Sequence, residues 1–217
     1  MNNDRSLART AGILYLVTFL TSIPALALET PLLDGGIHPE LAIWGALLEI
    51  LLAFACVGTA IFLLPITRRH SEPLAVGFVV SRTLEAGLVL VGVLCILALA
   101  DLPHDAADAA LRALHGWTFL LGPAVMASVN ALLLGTVLLR GRFVPRVIPM
   151  VGLIGAPILL ASSLGVLFGG WTQTSPLAGL AALPIALWEL SLGLWLTFKG
   201  VNAGMPASPA PAPAEVS

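Results

Sequence analysis

Apolar residues fill six long runs of this chain, and short polar stretches rich in proline and glycine separate the runs. Each run approaches or exceeds the ~18–20 residues that a helix needs to cross ~30 Å of hydrocarbon. Strands of a membrane barrel would be ~10 residues long and would alternate apolar with polar positions, which these runs do not. The pattern predicts an all-α polytopic membrane protein, a bundle of six transmembrane helices. The predicted spans are residues 11–28, 41–65, 74–100, 115–139, 147–170 and 176–198.

Four prolines lie inside the predicted spans: Pro24, Pro123, Pro157 and Pro184. Proline is tolerated in membrane helices because neighbouring helices or water can satisfy the carbonyl group that it leaves free. Each of these prolines therefore has two interpretations. It produces a kink that serves packing, or it marks an unwound stretch that lines a cavity, as in the discontinuous helices of transporters.

The composition agrees with a membrane protein, since 58% of the 217 residues are hydrophobic and 10% are charged, whereas soluble domains have about 25% charged residues. The loops are too short to fold alone, so we predict a single six-span domain over residues 1–200. Residues 201–217 alternate proline with alanine and serine, which predicts a disordered cytoplasmic tail. The sequence contains no nucleotide-binding glycine loop and no basic nucleic-acid patch, and we expect no nucleic-acid partner.

The basic residues outside the spans lie almost entirely on the side of the chain termini. On that side are Arg5, Arg9, Arg68, Arg69, Arg140, Arg142, Arg146 and Lys199, whereas the opposite loops hold Arg112 alone. Cytoplasmic loops carry such an excess of positive charge, which predicts that both termini are cytoplasmic. An alternative concerns residues 1–27: two arginines, an apolar stretch and the triplet ending at Ala27 have the layout of a cleavable secretory signal. Cleavage there would leave five spans.

Five polar side chains lie deep inside the predicted spans: Glu49, Arg82, Glu85, Asn130 and Glu189. A charge at bilayer depth costs roughly 2.5–3.5 kcal/mol on insertion scales, so such residues are typically paired or functional. A rise of ~1.5 Å per residue places all five in one slab ~6 Å thick. We therefore predict them as a ligand-binding or proton-coupling site.

Within this slab, Arg82 and Glu85 are three residues apart and can pair on one helix face. Glu49 and Glu189 have no cation within their own helices. One arginine shared among three glutamates leaves a surplus of two negative charges when all are ionised, and protons or a cationic ligand would relieve that surplus. The alternative is a purely structural Arg–Glu brace for the bundle.

Three hypotheses follow for the function. The first, which we favour, is binding or transport of a small-molecule or lipid-like ligand within the bilayer, with proton coupling as one form of it. The second is a membrane enzyme that acts on a lipid-like substrate, although the sequence has no H-E-x-x-H motif and no serine in a nucleophile context. The third is a regulatory or assembly protein. A bundle of six spans is small for a transporter, which raises a homodimer as an expectation.

No catalytic residue, metal site or cofactor is predicted. The two cysteines, Cys56 and Cys95, lie inside spans and do not form a C-x-x-C motif, so neither a redox pair nor a zinc site is indicated. Facing pairs of histidines in mid-membrane, which bind haem in some membrane proteins, are absent from the sequence pattern.

Several short motifs, in their order and spacing, resemble a known family. The first span opens with RTAGILYL at residues 9–16, the third contains RTLE at residues 82–85, and FVPR at residues 143–146 links the fourth and fifth. Pro184 and Glu189 then precede GLWL at residues 193–196 and the pair at residues 199–200. Together these motifs resemble the bacterial membrane family called domain of unknown function 4386, over roughly residues 5–200. The resemblance implies a small protein of the bacterial inner membrane and supplies no substrate.

Overall fold

Six helices make up the fold seen in a computed structural model, which describes residues 2–36, 38–101 and 107–202. All six are long and apolar enough to cross a membrane, and no strand occurs in the described part of the chain. The predicted fold class is therefore confirmed. The helices are α1 (Asn2–Leu33), α2 (Pro39–Thr67), α3 (Glu72–Asp101), α4 (Ala107–Gly141), α5 (Val147–Leu167) and α6 (Pro176–Phe198). The predicted tail, except for its first two residues, lies outside the described residues.

The helices form a closed ring in chain order, because each packs against its sequence neighbours and α6 returns to α1. Glycines allow the closest approaches. A Cβ atom at Gly12 of α1 would lie 2.5 Å from the backbone nitrogen of Thr197 on α6, and one at Gly152 of α5 would lie 2.6 Å from the Trp188 ring. Small residues at helix interfaces permit this kind of packing in membranes, where dispersion contacts replace the hydrophobic driving force.

Each end of the ring is tied by polar contacts between neighbouring segments. At the end where the described chain begins and ends, here called the terminal face, Asp4 and Arg69 form an ion pair of 2.6 Å. The backbone nitrogen of Asn202 also donates to the Phe143 carbonyl there, at 2.8 Å. At the other end, here called the opposite face, Gln173 donates to the Gly116 carbonyl at 2.8 Å. The eight basic residues of the sequence pattern flank the terminal face.

The outer surface of the ring is apolar, as expected for helices in contact with a lipid bilayer. Leu20, Phe54, Leu94 and Leu187 each expose more than half of their surface. In water such a surface would be unfavourable, but lipid tails solvate it as well as a protein interior does.

Three of the four prolines inside spans leave the α-helix intact, since α1, α5 and α6 continue through Pro24, Pro157 and Pro184. None of these three therefore marks an unwound stretch. Pro123 differs: it lies in a π-helical segment, Leu120–Met126, in the middle of α4. The segment interrupts the regular hydrogen bonding of α4, which α-helical turns resume at Ala127.

Candidate functional site

Arg82 lies at the centre of the bundle and is 1% exposed. Its Nη1 donates to Oε2 of Glu85 at 2.7 Å, which confirms the predicted pairing of the two residues. Its Nε donates to the Thr59 hydroxyl of α2 at 3.3 Å. The guanidinium lies 5.0 Å from the centroid of the Tyr15 ring of α1, at cation–π distance. One side chain of α3 thus joins three helices.

The same Glu85 oxygen that binds Arg82 accepts a second hydrogen bond, from Nδ2 of Asn130 on α4 at 2.6 Å. Glu189 of α6 approaches from another direction, with its Oε1 at 3.5 Å from Nη1 of Arg82. That contact has no hydrogen-bond geometry, and Glu189 Oε1 has no hydrogen-bond partner. The structure therefore brings together four of the five predicted residues, Arg82, Glu85, Asn130 and Glu189, here called the central network.

Local packing explains how α6 delivers Glu189 to this point. Trp188, the preceding residue, is fully buried and lies against Gly152 of α5. Because the large ring of Trp188 fits only where α5 has no side chain, the rotation of α6 is fixed. That rotation leaves the Glu189 side chain 15% exposed, facing the interior space beside Arg82.

A cavity of about 340 Å³ lies beside the central network. Its polar lining consists of Thr18, Ser22, Glu49, Arg82, Glu85 and Glu189, and the remaining wall is largely apolar. Ile23 and Leu26 of α1 also line it and are exposed. Exposed residues of α1 thus form one edge of the cavity.

Glu49, the fifth predicted residue, lies on the wall of this cavity but outside the central network. Within the described chain, no hydrogen bond or ion pair links Glu49 to Arg82. Its neighbours are Glu29 of α1 and His115 of α4. One ligand atom from each of these three residues lies within 4.8 Å of the others. These three residues are here called the Glu29 cluster.

Glu29 and His115 were not predicted as site residues. The sequence pattern ended the first span at residue 28 and assigned Glu29 to a loop, which is wrong, because α1 continues to Leu33 and Glu29 is 1% exposed. The spacing of Ala25, Glu29 and Leu32, four and three residues apart, was the available signal. Such spacing puts all three on one helix face, and the structure buries all three.

The π-helical segment of α4 forms a wall between the large cavity and the Glu29 cluster. Pro123 of this segment and Phe119, the residue that precedes the segment, line the large cavity, and both also line a space of about 10 Å³ beside Glu49 and His115. Proline has no N–H to donate, so it removes one hydrogen bond from a helix at this point. Single π turns of this kind occur frequently at functional sites.

Comparison with known proteins gives a family and no activity. No curated protein and no solved structure matched this chain. A family profile described as Domain of unknown function (DUF4386) matches residues 10–200, which includes every residue of the central network and of the Glu29 cluster. This chain, with its ring of six apolar helices and its buried Arg–Glu centre, therefore belongs to the DUF4386 family.

Proposed function

We propose that this membrane protein binds a small ligand with a cationic head and an apolar body in the cavity beside Arg82, and that the ligand exchanges there with protons. The observation that carries the proposal is that two glutamates on the cavity wall have buried oxygen atoms without a hydrogen-bond partner, Oε1 of Glu189 and Oε2 of Glu49. Buried carboxylates of this kind are costly unless a proton, a cation or a donor satisfies them.

The three glutamates on the cavity differ in what they already contact. Glu85 receives hydrogen bonds from both Arg82 and Asn130, so it serves the bundle as a brace. Glu189 has one ion-pair contact at 3.5 Å, and Glu49 has no hydrogen bond or ion pair within the described residues. The carboxylates of Glu189 and Glu49 are thus available to a ligand, and the carboxylate of Glu85 is not.

Charge supports a cation as the ligand. When Glu49, Glu85 and Glu189 are ionised, the Arg82 guanidinium compensates one of three negative charges on the cavity wall. A ligand cation reduces the remaining surplus, and two protons do the same when the ligand leaves. The coupling of ligand to protons follows from this competition for the same carboxylates.

The shape of the cavity supports a ligand with an apolar part. A volume of about 340 Å³ is near the lower end of the range for small-molecule sites, and most of the wall is apolar. The exposed Ile23 and Leu26 on the edge of the cavity support an opening toward the lipid. A ligand that partitions into the bilayer would therefore enter from the side.

Transport would require the cavity to become accessible from both sides of a bacterial inner membrane. We expect the terminal face to lie in the cytoplasm. The excess of basic residues around the terminal face supports that orientation. Reporters fused within residues 141–146 and after Lys199 should read cytoplasmic, and a reporter within residues 34–38 should read external. An external signal at 141–146 would contradict the orientation.

The binding test uses the full chain in lipid nanodiscs and two probes with the same hexyl chain and opposite charge, hexyltrimethylammonium and hexanesulfonate. Calorimetry should detect the cation and not the anion. Glu189→Gln keeps the shape of the side chain and removes its charge, so it should weaken cation binding by about tenfold, or about 1.4 kcal/mol. Proton release on binding, measured in buffers of different ionisation enthalpy, should fall in the same variant.

The matched control is Glu72→Gln, the same chemical change at an exposed residue in the first turn of α3. It should bind the cation as the wild type does. Equal affinity of wild type and Glu189→Gln for the cation would contradict the proposal. So would equal binding of the two probes. Either result would favour a structural brace as the role of the whole centre.

A further inference from the structure

We propose that Glu29, Glu49 and His115 form a binding site for one divalent first-row transition metal ion, next to the cavity and sharing Glu49 with its wall. The three side chains come from three different helices, α1, α2 and α4, and converge with one ligand atom each within 4.8 Å of the others. Nε2 of His115 lies 3.7 Å from Oε2 of Glu29, too far for a direct hydrogen bond. Ligands ~2.1 Å from a tetrahedral ion lie about 3.4 Å from one another, which is close to this separation.

The unsatisfied oxygens of the cluster point to a ligand. Glu29 is 1% exposed, and its Oε1 has no hydrogen-bond partner; Oε2 of Glu49 is also buried and without one. Burying a carboxylate with no partner is unfavourable, and buried charges are typically paired or bound to metals. A cation held between these oxygens and the His115 ring would satisfy all three side chains at once.

The charges around the cluster also fit a divalent ion. Two carboxylates and a neutral imidazole carry two negative charges, so a divalent ion gives a neutral complex inside a low-dielectric region. Arg112, one helical turn from His115 on α4, does not supply that compensation. Its guanidinium is engaged by the carbonyls of Leu32 and Leu33 and by Asp108 at 3.4 Å.

Two glycines make room for the ligand side chains. A Cβ atom at Gly45 of α2 would lie 2.6 Å from Cγ of Glu29 and 3.0 Å from its Oε1. A Cβ at Gly92 of α3 would lie 3.6 Å from Cδ2 of His115 and 3.2 Å from the Thr118 hydroxyl oxygen. The neighbouring helices thus accommodate both side chains. The space of about 10 Å³ beside Glu49 and His115 is about one water-sized sphere.

The donor set determines the class of metal. One imidazole nitrogen with two carboxylate oxygens suits Zn²⁺, Co²⁺, Mn²⁺ or Fe²⁺ and lacks the thiolates that select Cu⁺. Three protein ligands leave a fourth position for water or another small molecule, as in open zinc sites. No metal site is predicted from the sequence, which has no C-x-x-C motif, and the apolar run that ends before Glu29 gives no sign that its side chain is buried.

The test measures Co²⁺ binding to the full chain in nanodiscs by the visible d–d absorption bands of the bound ion, with Zn²⁺ competition as a second readout. The wild type should bind an equimolar amount of Co²⁺ with the strong bands of a low-coordinate N/O site. His115→Gln and Glu29→Gln each remove one ligand. Since changes around a metal ligand cost about 10–100-fold in affinity, losing the ligand should cost at least as much.

The controls are the same substitutions at exposed positions, His38→Gln and Glu40→Gln, which should leave Co²⁺ binding unchanged. Unfolding temperature gives an independent readout, because metal should raise it in the wild type and not in Glu29→Gln. A wild type without Co²⁺ and Zn²⁺ binding would overturn the proposal, as would binding that survives in both His115→Gln and Glu29→Gln.

This test does not depend on the proposed function. Glu29 and His115 do not line the large cavity, so His115→Gln should lose metal and still bind hexyltrimethylammonium. Glu189→Gln should show the reverse. Glu49 lies on both spaces, so Glu49→Gln should weaken both, and a loss of metal in Glu189→Gln equal to that in His115→Gln would overturn the separation.

Discussion

The central network and the Glu29 cluster bury carboxylates inside the bundle in two different ways. In the central network, the cation and its glutamate come from one helix, and neighbouring helices add Asn130 and Thr59 as further partners of this pair. In the Glu29 cluster, each side chain comes from a different helix, and no arginine or lysine of the described chain pairs with it. Both groups keep buried polar atoms without a hydrogen-bond partner, but only the first contains an arginine that forms an ion pair with its own glutamate.

We expect this difference to give the two groups different roles, with the central network contributing mainly to folding stability and the Glu29 cluster mainly to ligand binding. A buried ion pair built on one helix holds its geometry whatever the cavity contains, so removing its cation should affect folding most. A cluster assembled from three helices without a cation should affect folding less and ligand affinity more.

Arg82→Ala should be the most destabilising single change in the bundle. It leaves Glu85 and Glu189 buried without their cation, and removing one partner of a buried pair costs about 3–5 kcal/mol. Unfolding midpoints in mixed detergents measure the effect, and Arg82→Ala with Glu85→Ala should cost less than the sum of the two single changes.

One outcome of the double-mutant cycle would contradict the proposed interaction between Arg82 and Glu85. Strict additivity of Arg82→Ala and Glu85→Ala would show that the two residues do not interact energetically, despite the 2.7 Å contact. The central network would then lose its role as a brace, and the contrast with the Glu29 cluster would fail.

Gly45→Ala should have a smaller effect on folding and a specific effect on the Glu29 cluster. The new methyl group would meet Glu29 Cγ at 2.6 Å and the Ala25 carbonyl oxygen at 3.1 Å, and overpacking of this kind typically costs about 1–3 kcal/mol. Co²⁺ affinity should fall because Glu29 must move.

The control for this change is Gly87→Ala, because a Cβ atom there meets nothing within 4 Å. It should leave Co²⁺ binding as in the wild type. Retention of full Co²⁺ affinity in Gly45→Ala would show that the position of Glu29 does not matter for the metal.

Tyr15→Phe should have the smallest effect of the three changes. The Tyr15 hydroxyl is buried without a hydrogen-bond partner, whereas the ring faces Arg82 at 5.0 Å. Removing an unsatisfied hydroxyl and keeping the ring should leave stability equal to or above that of the wild type. The same unfolding assay tests this, with Tyr15→Leu as the variant that removes the ring and should destabilise. A clear loss of stability in Tyr15→Phe would show that the hydroxyl supports the central network.

The sequence was sufficient for the six spans because span length and apolar composition are set by the thickness of the bilayer. The Arg82–Glu85 pair was also predictable, since a spacing of three residues defines one helix face. Glu49 and Glu189 looked alike in depth, yet the structure gives them different neighbours. Helix rotation decides which neighbours a residue meets, and in this bundle the fit of Trp188 against Gly152 fixes that rotation for α6.

Three features of the site were not predicted, each for a physical reason. Glu29 was missed because the apolar run ends before the helix does, and helix ends depend on local hydrogen bonding and tertiary contacts such as Arg112 on the Leu33 carbonyl. The π turn at Pro123 was one of two open interpretations of a proline, and the surrounding packing distinguishes them. Tyr15 carries no signal in the sequence that separates it from other buried aromatic residues.

The π turn of α4 links the two spaces through one shared wall. Pro123 of this turn and the adjacent Phe119 border both the large cavity and the small space beside His115. An occupant of one space that displaces the turn therefore alters the shape of the other space. Coupling between two binding equilibria is reciprocal: if a metal ion changes the affinity for the cavity ligand by some factor, the ligand changes the affinity for the metal by the same factor. Through this single irregular turn, a ligand bound in one space would change the binding affinity of the other space.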